Sequence, residues 1–468
     1  MTLPVPKVLI HNDNGRRDLL PLSLLAISLK RRGLRVQIAG RSTLRARIRR
    51  FRPDAVVLAR GDSLPNPVVR RAAEVCSVYV MPSEGGRTTK ETTLSVFLGR
   101  GYRNAETIPW VRRCFTWNEN TTRWLIESGM LKPSQITVSG SPKLDIYRHM
   151  RANSSSSPDR PFTVGIAFSA TSTSQYHGHE HFAMVYHDIV HEDYRFPVVP
   201  EGHHFEDIVW RDHAILRTMM HVIKRLGSTT NYRMVMRPNP LESLAEYRFL
   251  ERKYESRFKL LYDEPLPVFL SKVDVLLTCW STTGIEALLN GIPVISINGL
   301  IDQTRLFDHI ARGPSGFDSF VGHYYRPESF QDLARLLALA AEKRLAPSPR
   351  DPEDTARMIN DIYGWNAVSS KAACETIADT IAADLASDRS TASRSDWGRA
   401  IPMPYRLPPL LAEIGIILRD FARAARSGDF ASYSAFYRSK DRAVSRLIRN
   451  AGCMSPARAP TGRVAAGS

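Results

Sequence analysis

The sequence predicts an α/β protein built on two open parallel sheets that face a cleft, with a helical extension at the C-terminal end. Three observations predict it. Short apolar β-rich runs alternate with helical patterns over the first 150 residues, a second series of the same kind begins near residue 161, and a serine-rich break separates the two. Such alternation is what βαβ units and a parallel sheet require.

The first domain is expected over residues 1–152, with strands at 8–11, 36–39, 55–59, 78–81, 114–117 and 136–139. Between the first two, residues 18–32 carry Leu19, Leu22, Leu25, Ile27 and Leu29 on one helical face, and Gly33 is placed to end that helix. Residues 153–160, with four consecutive serines and a proline, read as a linker. The second domain, 161–385, carries strands at 162–168, 232–236, 259–262, 275–279 and 294–297. Its helices are expected at 208–226, 241–254, 265–272 and 283–290, and the pattern from 330 to 385 is helical. Both halves are Rossmann-like, and a ligand belongs in the crevice beyond the carboxyl ends of their strands. A basic amphipathic extension is expected over 399–450 and a disordered Gly/Ala/Pro-rich tail over 452–468.

The length of 468 residues exceeds what one hydrophobic core organises, and 43% hydrophobic with 24% charged residues is the balance of a globular protein. No apolar run approaches the roughly 20 residues that span a bilayer. The start of the chain lacks the basic and apolar regions of a signal peptide, and five scattered cysteines without a C-x-x-C pair point to neither a disulfide framework nor a zinc site. A cytoplasmic location is expected, with peripheral attachment to the inner face of the membrane. The net charge of +17 calls for a polyanionic partner. Nucleic acid is disfavoured, because the basic residues show little aromatic interleaving and no recognisable motif. From Arg399 onward, 12 Lys and Arg stand against 4 Asp and Glu, which suits an anionic membrane surface and equally a helical appendage with a solvated basic face.

Three segments carry candidate chemistry. In the first, a buried strand at 275–279 runs into Ser281-Thr282-Thr283, which opens a helix that Gly291 stops. Free backbone N–H groups, hydroxyls and a helix dipole then meet at the carboxyl end of a strand, where an anion binds. Glu286, one turn on, is positioned to accept hydrogen bonds from ribose hydroxyls; an ordinary hydroxyl cap explains the same turn. In the second, a strand ends in Arg237-Pro238-Asn239-Pro240. The prolines stop it and hold Arg237, a phosphate partner, and Asn239, a reader of base or ribose edges, at the sheet border; a plain turn is the alternative. In the third, Glu84-Gly85-Gly86 follows a buried strand. A carboxylate there is placed to take a proton from an acceptor hydroxyl, or to be a solvated turn residue.

Nine of the thirteen histidines lie between His177 and His221. Their spacings match no closed zinc site and no H-E-x-x-H pattern, so no metal is expected.

Taken in order, Glu84-Gly85-Gly86, Phe115-Thr116-Trp117-Asn118, Gly140-Ser141-Pro142-Lys143-Leu144-Asp145, Arg237-Pro238-Asn239-Pro240 and Ser281-Thr282-Thr283 resemble the bacterial surface carbohydrate biosynthesis proteins. These are related to capsule Kdo transferases and to glycerophosphotransferases of the CDP-glycerol type. The resemblance spans roughly residues 5 to 385. It implies the GT-B fold, catalysis without metal or cofactor, and a nucleotide-activated donor, CMP-linked in several relatives. By position, Glu84 looks like the catalytic base, Arg237 to Pro240 like the nucleotide-binding R-P-H-P element, and Ser281 to Thr283 with Glu286 like the donor turn. Gly85, Gly86 and Ser141 fall on the acceptor side of the cleft. Asn239 stands where the family has histidine; asparagine keeps the hydrogen bonding but cannot carry a positive charge.

The implied activity is an inverting glycosyl transfer to a surface glycan or glycolipid. A glycerophosphotransferase or nucleotide-sugar epimerase on the same fold is an alternative, as is a non-catalytic scaffold of a glycan-assembly complex.

Overall fold

The computed structural model describes residues 4–40, 43–61, 63, 66–82, 90–98, 105–150, 160–170, 205–239, 242, 244–261, 264–279, 281–301, 318–365 and 371–388. Glu84, Gly85, Gly86, Pro240, most of the histidine-rich stretch, and the predicted extension and tail at 399–450 and 452–468 lie outside them.

The first sheet holds β1 (Lys7–Asn12), β2 (Arg35–Gly40), β3 (Ala55–Leu58), β4 (Ser77–Val80), β5 (Arg113–Thr116) and β6 (Ile136–Val138), in the order β2-β1-β3-β4-β5-β6. The second holds β7 (Thr163–Ala167), β8 (Arg233–Met236), β9 (Phe258–Leu260), β10 (Val275–Thr278) and β11 (Val294–Ser296), in the order β11-β10-β7-β8-β9. Every pairing is parallel. Each parallel connection needs a crossover, and helices supply most of them.

The helices are α1 (Gly15–Arg31), α2 (Leu44–Phe51), α3 (Asn66–Ala73), α4 (Lys90–Leu98), α5 (Glu119–Glu127) and α6 (Asp145–Met150) in the first half. The second half has α7 (Phe205–Thr229), α8 (Arg248–Tyr254), α9 (Leu266–Leu270), α10 (Thr283–Leu289), α11 (Asp318–Val321), α12 (Phe330–Ala341), α13 (Pro352–Tyr363) and α14 (Ala373–Asp388). The two-sheet α/β class read from the sequence is therefore present, and the strands fall within a residue or two of their predicted bounds. The helix expected at 241–254 is shorter: a 3-10 turn, Leu244–Glu246, precedes α8. No helix among the described residues is long and apolar enough to cross a membrane.

One apolar cluster covers a face of the first sheet with α2, α3 and α4, through Leu44, Ile48, Phe51, Val69, Ala72 and Phe97. Another covers a face of the second sheet with α7, α8 and α12. The third runs from α1 through α14 into the second sheet, joining Leu25, Ile377 and Ile381 to Leu276, Ile285 and Tyr324. The two sheets thus share a continuous apolar contact, and their carboxyl edges are held against each other.

The last described helices return the chain to the first domain. Gly364 closes α13 at φ 63, its N–H donating to the Asn360 carbonyl at 2.7 Å, and a Cβ there would sit 1.7 Å from the Trp117 carbonyl oxygen, so no side chain fits. Asp145 then accepts the backbone N–H groups of Ala373 (3.0 Å) and Cys374 (2.7 Å), which pins the start of α14. Along α14, Arg32 pairs with Glu375 at 2.7 Å and Asp379 at 2.6 Å, Arg113 pairs with Asp384 at 2.8 Å, and Arg112 pairs with Asp388. Burial would raise the Asp384 carboxyl, but the Arg113 hydrogen bond and the charges of Arg112 and Arg113 hold it below its ordinary value.

Candidate functional site

In the second sheet β7 is flanked by β8 on one side and β10 on the other, so the direction of winding reverses between β7 and β10. Loops leaving such a point diverge and open a crevice. Ser169 and Ala170 leave β7 there, and Cys279, Ser281 and Thr282 leave β10.

Arg237 continues the ladder beyond β8, its N–H donating to the Ile166 carbonyl at 2.9 Å. Its Nε donates to the Glu264 carbonyl at 3.3 Å. Burial lowers the guanidinium's pKa, opposed by the charges of Glu286, Tyr147 and Glu264 nearby. Pro238 is buried behind it. The Asn239 side-chain amide donates to Ser169 Oγ at 3.2 Å, tying the loop after β8 to the loop after β7.

A residue that sequence reasoning did not single out holds both loops. Glu242 is buried and accepts the Ala170 N–H at 2.6 Å, the Asn239 N–H at 3.3 Å and the Tyr247 hydroxyl at 3.0 Å. Burial pushes its carboxyl up to about 7, with the charge of Asp212 adding to the rise against those three hydrogen bonds. The local signal was slight: Glu242 follows Asn239 by three residues, and its N–H donates to the Asn239 carbonyl.

At the predicted hydroxyl turn, Ser281 Oγ accepts the Thr283 N–H at 3.2 Å and so acts as a local cap. Thr282 makes no side-chain cap. Tyr324 donates its hydroxyl to the Ser281 carbonyl at 3.2 Å and packs so close to Gly284 that a Cβ there would lie 2.4 Å from the ring. That packing fixes the start of α10.

Glu286 is drawn into the contact between the domains. Its carboxylate pairs with Lys143 Nζ at 2.5 Å and accepts the Tyr147 hydroxyl, also at 2.5 Å. Both partners come from the segment after β6, so the carboxyl edges of the two sheets meet on this one side chain. Burial works to lower the Lys143 ammonium, but the Glu286 charge and hydrogen bond outweigh it and hold it above its ordinary value. Arg17, at the start of α1, is near enough for its charge to oppose that of Lys143. Lys143 and Arg237 therefore stand near one buried carboxylate, while Arg17 is itself paired with the buried Asp18 at 2.6 Å. Two cations in a low-dielectric crevice are placed to meet an anion.

Ser141 is buried, its N–H donating to the Tyr363 carbonyl at 2.9 Å, while its Oγ has no hydrogen-bond partner among the described residues. It lines a cavity of about 300 Å³ with Trp117, Asn118, Arg148, Tyr363 and Trp365, where the Arg148 guanidinium lies 4.3 Å from the Trp365 ring centroid.

Of the predicted site, Arg237, Asn239, the Ser281–Thr283 turn and Glu286 thus gather at the carboxyl edge of the second sheet, and Ser141 stands across the contact. Glu84, Gly85, Gly86 and Pro240 cannot be assigned positions, lying outside the described residues. Lys143 and Tyr147 were missed as site residues, although Lys143 belongs to a motif already picked out. No group of His, Cys, Asp and Glu able to hold a metal occurs among the described residues.

No family model and no curated protein matches the chain. Among solved structures it is similar to UDP-GlcNAc 2-epimerase from Methanocaldococcus jannaschii, at 13% identity over 76% of this chain and 99% of that one, with a TM-score of 0.41. It is similar to the wall teichoic acid polymerase TagF at 12% identity over 82% of this chain and 90% of that one, with a TM-score of 0.48. A third is the glycotransferase of kitacinnamycin, at 12% identity over 81% and 99% of the two chains, with a TM-score of 0.39. At such distances the reaction has to be read from this chain's own residues.

Proposed function

We propose that the protein is a GT-B glycosyltransferase that moves a sugar from a nucleotide-activated donor, CMP-linked by resemblance, to a surface glycan or glycolipid, without metal. The observation that carries this reading is the meeting of Lys143 and Arg237 around Glu286 at the facing carboxyl edges of the two sheets. In glycosyl transfer the negative charge grows on the departing nucleotide phosphate, and fixed cations near that position lower the barrier.

In this mechanism Arg237 pairs with the donor phosphate, and Ser281, Thr282 and Thr283 border it. Asn239 and Glu286 contact the base and ribose, the latter by exchanging its bonds to Lys143 and Tyr147 for ribose hydroxyls. Lys143, released from Glu286, then faces the phosphate. Glu84 takes the proton from the acceptor hydroxyl as its oxygen attacks the anomeric carbon from the face opposite the nucleotide. The C–O bond to phosphate breaks, the nucleotide leaves with the electron pair, and the configuration inverts. Gly85, Gly86 and Ser141 lie on the acceptor side.

The test is a calorimetric titration of the full chain with cytidine and uridine nucleotides, followed by a donor screen that reads sugar transfer against glycerol phosphate transfer and epimer formation. Arg237→Ala should weaken nucleotide binding at least about tenfold, and Glu84→Gln should lower kcat by roughly 10²–10⁴ while leaving nucleotide affinity unchanged. Unchanged turnover in Glu84→Gln removes that residue as the base. Absence of binding to every nucleotide sinks the reading as a whole and leaves the scaffold alternative.

A further inference from the structure

Helix α2 (Leu44–Phe51) crowds positive charge on its exposed face. Residues 41–52 contain six arginines and no carboxylate. Leu44, Ile48 and Phe51 point into the core, which leaves Arg45, Arg47, Arg49, Arg50 and Arg52 exposed. Arg45 and Arg49 are like charges one turn apart, an arrangement that destabilises a helix. The first turn holds no acidic residue to meet the dipole, and Thr43 at the N-cap donates its hydroxyl back to the Gly40 carbonyl at 3.2 Å instead of capping the helix. Arg52 closes the helix at φ 48, a left-handed conformation that favours glycine. None of the five exposed arginines forms an ion pair among the described residues. Arg49 and Arg50 in the last turn favour the helix dipole, but the crowding of five exposed cations gains nothing inside the fold, and an external anionic partner accounts for it.

The neighbouring helix extends the feature. On α3 (Asn66–Ala73), Arg70 and Arg71 are exposed, and the Arg70 guanidinium lies 5.3 Å from the centroid of the Trp110 ring, itself 39% exposed. Both helices rest on the same apolar cluster, so they occupy one side of the first sheet.

We propose that this side, formed by α2, α3 and Trp110, docks on the surface of an anionic lipid bilayer. Guanidinium groups pair with lipid phosphates, and each arginine near a negatively charged leaflet adds to the attraction. A half-exposed tryptophan among cations suits the headgroup level of a membrane. Single-stranded nucleic acid is a poorer match: its binding sites present grooves with several aromatic platforms, whereas this face offers one tryptophan, already covered by Arg70. The inference is independent of the proposed reaction, and its readout involves no activity.

The experiment is flotation of the full-length protein with phosphatidylcholine vesicles, with and without phosphatidylglycerol. The wild type should float only with the anionic vesicles and less so as salt rises. Arg45→Gln, Arg49→Gln and Arg50→Gln combined should reduce the bound fraction at least about tenfold with little change in melting temperature, since relief of like-charge repulsion offsets the lost dipole interaction of Arg49 and Arg50. Arg70→Gln with Arg71→Gln makes the same test from α3 should the first variant fail to fold. The basic residues after Arg399 stay in place throughout, so flotation equal to wild type in these variants overturns the proposal. A loss of RNA binding in a gel shift with vesicle binding intact overturns it as well.

Discussion

Glu242 and Glu286 both stand beyond the carboxyl edge of the second sheet, 1% and 2% exposed, yet their surroundings treat them differently. Glu286 is met by a cation, Lys143, with Arg237 close by, and takes a hydroxyl hydrogen bond from Tyr147. Glu242 is met by two backbone N–H groups and a hydroxyl, with the carboxylate of Asp212 nearby, and its carboxyl is pushed up to about 7. Burial is equal, so the difference comes from the partners. Glu286 joins the two domains through a cation and a hydroxyl. Glu242, held by neutral donors, clamps the loops and gives up its charge as pH falls through about 7. Under the proposed function the first meets the ligand and the second frames the site.

The sharpest way to break this distinction is to remove the cation. Lys143→Met keeps the volume and leaves the Glu286 charge buried with a hydroxyl and a more distant guanidinium. Losing one partner of a buried pair costs about 3–5 kcal/mol, to be read by urea denaturation. Adding Glu286→Gln should recover most of the loss, because no uncompensated charge then remains. If Lys143→Met costs less than about 1 kcal/mol, Arg237 rather than Lys143 answers the carboxylate, and the assignment of partners is wrong.

The second test concerns the clamp. The folded-state pKa of Glu242 is raised from 4.5 to about 7, so the stabilisation by its neutral form is complete below pH 4.5 and lost as pH rises through 7. Glu242→Gln should therefore flatten the stability profile over that window and leave the protein more stable than wild type at pH 8, by on the order of 2 kcal/mol. Thermal denaturation from pH 5 to pH 8 reads it. A profile that keeps its slope in the variant places the titration elsewhere.

How much of this was readable in advance follows from the same physics. The strands of both sheets were legible because parallel strands covered on both faces become continuous apolar runs, such as Ala55 to Leu58 and Val275 to Thr278, bounded by turn residues. Arg237 and the Ser281 turn were legible because strand ends and caps are written locally. The Lys143–Glu286 pair was not, since its members lie 143 positions apart and no periodicity encodes a partner across a domain contact. Nor was the depth of Glu242: its partners Ala170 and Tyr247 come from a loop 72 positions back and from the turn ahead of α8. The predicted 241–254 helix is split as well, with a 3-10 turn over Leu244–Glu246 ahead of α8.

The smallest expected effect marks where the comparison stops applying. Asp379 pairs with Arg32 at 2.6 Å and Lys371 at 2.9 Å, and the Arg32 hydrogen bond first, then that of Lys371, brings its carboxyl down to about 2. Taken as if buried, that displacement would rival the Glu242 effect. Asp379 is 48% exposed, however, so water and salt screen the pairs and the ordering of long side chains offsets part of the gain. Asp379→Asn should cost less than about 1 kcal/mol. The sign is opposite to that of Glu242: the lowered pKa gives stability above pH 3.8 that disappears as pH falls through 2. Urea titrations at low and high salt separate the cases, since the cost of Asp379→Asn should shrink with salt while that of Lys143→Met persists. A salt-insensitive loss at Asp379 would mean that the α1–α14 contact is as dry as the crevice, and that exposure does not divide the two kinds of charge.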